Sequence, residues 1–136
     1  MKLGTQLCLT GSLLICLAGA QDITKPVLRE GIHVEMPVSG QPFEIRAADE
    51  LNATVVAITA DERVFLGVNR AEPAALGNLK AETVYVKADS RAPFQTVLAV
   101  LDALRGKSVV LLTAPPKEVE RTGVLPPYGI RMLLAR

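Results

Sequence analysis

The chain has no tryptophan, one histidine, two cysteines, three phenylalanines and two tyrosines. Its core must therefore be aliphatic, built from valine, leucine, isoleucine and alanine. Burying one of the larger aliphatic side chains is worth roughly 1.5–3 kcal/mol, which is enough for a modest α/β body. Both cysteines, Cys8 and Cys16, fall in the first twenty residues, so the remainder holds neither a disulfide framework nor a cysteine metal site. An excess of charge of one sign is missing too. Fifteen lysines and arginines face fourteen acids, for a net charge of +1. That excludes nucleic-acid binding driven by a basic excess. The sequence shows no glycine-rich phosphate loop, no Ser-His-Asp set and no clustered metal ligands. It reads as non-enzymatic, with no cofactor and no metal.

With 136 residues there is room for one domain. Residues 1–20 carry one charge, Lys2, and then an uncharged run that ends in Ala18, Gly19 and Ala20. The small-x-small ending fits a signal-peptidase site, and the length also fits a strained membrane anchor. Both readings export the chain, either free or anchored by residues 1–20 in a membrane. A lipoprotein fits less well, because bulky Ile15 precedes Cys16. Residues 21–30 are a polar linker, residues 31–116 the domain and residues 117–136 a tail.

Within the domain, two patterns recur. Val84, Val86 and Ala88 alternate with Thr83, Tyr85 and Lys87, the two-residue period of a strand. Phe94, Val97, Leu98, Leu101 and Leu104 follow at helical spacing and predict one apolar face. Pro93 suits the first helical turn and Gly106 the position beyond the last. Val109 to Leu112 is an unbroken apolar run, as in a strand covered on both faces. Strand, helix and strand within about 30 residues make one βαβ unit. Upstream, residues 54–59 and 64–68 predict a hairpin around a tight turn at residues 60–63. Residues 72–80 predict a shorter helix, weakened by Gly77 and Asn78. The expected fold is α/β: a mixed sheet of about five strands, with two helices packed on one face.

The order and spacing of these pieces resemble the ExbD/TolR family. The residues that carry the resemblance are Gly31-Ile32-His33-Val34-Glu35-Met36-Pro37, the strand ending in Ala88-Asp89, the Phe94–Leu104 helix and the closing strand around Val109 to Thr113. The family resemblance implies a cell-envelope component of a proton-motive-force-linked biopolymer transport system. It also implies a homodimer and partners of the ExbB/TolQ and TonB/TolA types, with contact to peptidoglycan in some members. The family's membrane helix bears an acidic residue, whereas residues 1–20 have no Asp or Glu. The implied role is thus an accessory docking or dimerisation module that lacks the proton-coupling carboxylate. A stand-alone periplasmic module that binds peptidoglycan or a peptide is the alternative.

Two sites follow from the residues themselves. Ile32, Val34 and Met36 alternate with His33 and Glu35, and Pro37 confines such a strand to a sheet edge. An exposed edge offers unpaired backbone groups to a partner strand, so these three are the expected partner-binding residues. Asp89 ends a strand just ahead of a helix, where a carboxylate accepts backbone N–H bonds and gains from the helix dipole. Its expected role is a structural helix-entry carboxylate. Asp102 and Arg105 are spaced to pair on the exposed helix face.

Overall fold

The computed structural model describes residues 31–119 and 125–135. The expected leader or anchor at 1–20, the linker at 21–30 and part of the tail lie outside the described residues.

The aliphatic strands assemble into one seven-stranded mixed sheet. In chain order they are β1 (Phe43–Glu44), β2 (Thr54–Ile58), β3 (Val64–Leu66), β4 (Asn69–Arg70), β5 (Thr83–Ala88), β6 (Ser108–Thr113) and β7 (Tyr128–Leu133). The spatial order is β1-β7-β6-β5-β2-β3-β4. The three central strands, β6, β5 and β2, run parallel, with Val84 opposite both Thr54 and Val109. Antiparallel pairs flank them: β7 on β6, and β3 on β2. The expected α/β class and mixed sheet hold, but seven strands replace about five. The difference comes partly from β1 and β4, which are two residues each and too short to show a period.

The βαβ unit is present as its spacing requires. Helix α1 (Phe94–Ala103) carries the chain from β5 to parallel β6, and Gly106 lies beyond its end at φ 83°. That left-handed angle costs glycine nothing and would strain other residues. The hairpin is present too, with Val56 opposite Leu66 and Ile58 opposite Val64. Residues 72–80 condense into a 3-10 helix, Pro73–Asn78, instead of an α-helix.

Side-chain alternation gives the sheet two covered faces. On one, Val56, Ile58, Val84, Val86 and Val109 pack against Val100 of α1, Leu104 just past its end and Leu76 of the Pro73–Asn78 turn. On the other, Tyr85, Val110 and Leu112 meet Ala48 of a second 3-10 turn, Arg46–Asp49, with Ile45 and Met36 beside them. The expected apolar helix face needs correcting. Val100 and Leu104 are fully buried, and Val97 and Leu101 pack against the core. Phe94 and Leu98 are 74% and 44% exposed. The buried stripe is therefore rotated away from Phe94 and Leu98 and towards Val100 and Ala103.

Candidate functional site

Residues 31–37 do not form the expected edge strand. The chain crosses the carboxyl ends of the parallel strands as a strap, and joins the sheet at a single parallel bridge, Val38 with Ala114. Its backbone is held at Glu35 and Pro37. The Glu35 N–H donates to Asp89 Oδ2 at 3.1 Å, the Glu35 carbonyl accepts from the Ser90 N–H at 2.8 Å, and the Pro37 carbonyl accepts from the Ala114 N–H at 2.9 Å. Val34 is buried and Met36 packs on the second core cluster. These bonds use the Glu35 and Pro37 backbone, and Ile32, Val34 and Met36 lie in a strap that is not a strand of the sheet. The alternation that suggested a strand instead reflects Val34 and Met36 turning inward.

Asp89 is the anchor of this strap. Its residue is 6% exposed. The carboxylate accepts from Arg91 Nε at 2.9 Å, Arg91 Nη2 at 3.1 Å, the Arg91 N–H at 3.0 Å and the Glu35 N–H. The fork-to-fork bond with the Arg91 guanidinium, then the two backbone N–H groups, hold its pKa well below the usual carboxylate range. The structural role expected of Asp89 needs one correction. Its bonds serve the turn at residues 89–92 and the strap, not the first turn of α1. That helix starts at Phe94, with Pro93 at its cap position and no side-chain cap. The other strongly perturbed acid, Asp61, pairs with Arg63 and Thr59 in the hairpin turn and is lowered to about 2.

An open edge among the described residues lies at the corner of β1 and β7, and its parts are far apart in sequence. β1 covers only the start of β7: Phe43 lies opposite Gly129 and Glu44 opposite Tyr128. The Ile45 N–H donates to the Pro127 carbonyl at 2.7 Å, so that carbonyl faces β1. Backbone groups alternate sides along a strand, which places the N–H and C=O of Gly129, Arg131 and Leu133 on the outer side. Gly129 is taken by Phe43. The chain enters β1 from a bend at residues 40–41, and among the described residues no strand pairs with Arg131 or Leu133 on that side.

Next to this edge is an open cavity of about 490 Å³ lined by Phe43, Glu44, Ile45, Arg46, Ala47 and Arg131. Arg46 is engaged by Glu44. Arg131 is exposed and meets no carboxylate among the described residues. Phe43 and Leu133 are exposed as well, Leu133 almost completely at 99%. Sequence reasoning passed over Arg131, Phe43 and Leu133. The signal available was weak: an apolar stretch at residues 129–135 that could form a last strand.

Among the described residues no group of three acids, histidines or cysteines is placed to hold a metal. None of their helices is long and apolar enough to cross a membrane. The Thr113 hydroxyl is buried without a hydrogen-bond partner among the described residues. Comparison with protein-family models, with curated proteins and with solved structures finds no match to this chain.

Proposed function

We propose that this chain is a cell-envelope docking module of the ExbD/TolR type. In this reading it works as an accessory of a proton-motive-force-linked transport system and lacks the membrane carboxylate that would couple protons. One observation carries the docking part: among the described residues no strand pairs with the Arg131 and Leu133 backbone groups on the outer edge of β7. Such an edge is completed by adding a strand from a partner. The opposite edge is less suited, because β4 is two exposed polar residues, Asn69 and Arg70. The βαβ core supplies a rigid base for the open edge, and the strap closes the strand ends on the far side of β5 and β6.

The partners expected from the resemblance are an ExbB/TolQ-like membrane protein or a TonB/TolA-like protein, with peptidoglycan as a further contact and a homodimer as the assembled state. The test is recovery of the full-length native chain from detergent-solubilised envelopes. Co-purification of an ExbB/TolQ- or TonB/TolA-like protein in stoichiometric amount is the expected result. A chain recovered alone from both membrane and soluble fractions would reject the proposal.

A further inference from the structure

We infer that the β1–β7 corner is a binding site for an extended acidic peptide, which pairs with the outer edge of β7 and sets a carboxylate side chain against Arg131. This rests on the docking reading above and specifies the chemistry of what is docked. Three independent features meet there. The first is the pair of outward-facing residues, Arg131 and Leu133, whose N–H and C=O groups have no strand beside them among the described residues. An incoming antiparallel or parallel strand satisfies both.

The second is side-chain alternation. Gly129, Arg131 and Leu133 share one face of the sheet, and a Cβ built on Gly129 would point at Ile45 Cδ1 and Val110 Cγ1, which identifies that face. Phe43, opposite Gly129, lies on it too. A peptide on this edge thus runs past Leu133 and Arg131 and ends against Phe43, with the 490 Å³ cavity beside the last two.

The third is charge. Two arginines and one glutamate line the cavity, and the glutamate is taken by Arg46. That leaves the Arg131 guanidinium at the edge without an acidic partner among the described residues, and a guanidinium binds a carboxylate with two parallel hydrogen bonds. Phe43 adds an apolar wall for the methylene stem of a glutamate. A neutral or basic strand would leave Arg131 unpaired or repelled, so the charge selects an acidic one.

The experiment titrates the full chain with a hexapeptide of alternating valine and threonine that carries one central glutamate, and with the same peptide carrying glutamine. Affinity is read by calorimetry and position by backbone amide shifts and exchange. The expected result is saturable binding, perturbed and protected amides at Arg131 and Leu133, and a preference for the glutamate peptide of about tenfold, the scale of one charge-assisted hydrogen bond. Arg131→Gln should abolish the preference. Leu133→Pro, which removes an outward N–H at a fully exposed residue, should weaken both peptides alike. Absence of saturable binding, equal affinity for the two peptides, or shifts centred on Asn69 and Arg70 would overturn the inference. So would a stable dimer whose interface protects residues 130–133, because the edge would then belong to a second copy. If the peptide fails while an envelope partner still co-purifies, the docking reading stands and only the acidic-strand inference falls.

Discussion

The Asp89 carboxylate holds the backbone N–H of Glu35 at 3.1 Å across 54 residues of sequence. Through this bond the entry segment is fastened to the end of the central strand β5. The Arg91 guanidinium and its backbone N–H complete the set of donors.

This arrangement predicts a specific acid response. The folded-state pKa of Asp89 is depressed below its ordinary value of 3.8, chiefly by the Arg91 side chain. A depressed carboxylate contributes stability that is fully present above the unfolded pKa and is lost as pH falls through the folded one. The wild-type urea midpoint should therefore fall as pH drops from about 4 towards 2. The Asp89→Asn variant should be less stable at neutral pH and should show a smaller fall over that window. Its Glu35 amide should exchange faster with solvent. Parallel pH curves for the two proteins would remove the carboxylate from this role.

Helix α1 separates two kinds of leucine. Leu104 is fully buried between α1 and the sheet, and its truncation to alanine should cost about 2–5 kcal/mol. Phe94→Ala and Leu98→Ala act on exposed residues and should each change stability by no more than about 0.5–1 kcal/mol. Denaturant midpoints of the three variants check this. Equal losses at Phe94 and Leu104 would put the helix in a different rotation.

Gly129 is fixed by close approach. A Cβ there would stand 2.7 Å from the Leu111 carbonyl oxygen and 2.9 Å from Ile45 Cδ1. Neither contact distance is tolerated, and one of the two atoms belongs to the backbone. Gly129→Ala should therefore destabilise by about 1–3 kcal/mol through overpacking. Thermal unfolding measures it, and an unchanged midpoint would show that Ile45 does not seat on β7.

How far the sequence could be read depended on how far each feature's partners lie along the chain. The hairpin of β2 and β3 and the βαβ unit of β5, α1 and β6 are local, and their two-residue and helical periods were visible in Val84, Val86, Val97 and Leu104. The strap was misread as a strand because its hydrogen-bond partners, Asp89, Ser90 and Ala114, are set by tertiary placement. In isolation, alternating Ile32, Val34 and Met36 looks the same whether the inward residues meet a neighbouring strand or the end of a sheet. Phe94 fell on the predicted apolar face because spacing fixes the periodicity of a stripe but not where the sheet ends beneath it. The corner of Phe43, Arg46 and Arg131 was hidden for a further reason: residues 43–46 and 129–135 can each be read as a short strand, but nothing in either stretch says that Phe43 lies opposite Gly129, 86 residues later.

The most direct test of the docking account is a photoactivatable residue placed at position 133 of the full-length protein in intact cells, with a control at position 62 in the distant hairpin turn. The account predicts that position 133 gives an adduct with an ExbB/TolQ- or TonB/TolA-like envelope protein and that position 62 does not. Adducts of equal yield at both positions, or none at 133 while the protein is folded and exported, would contradict it.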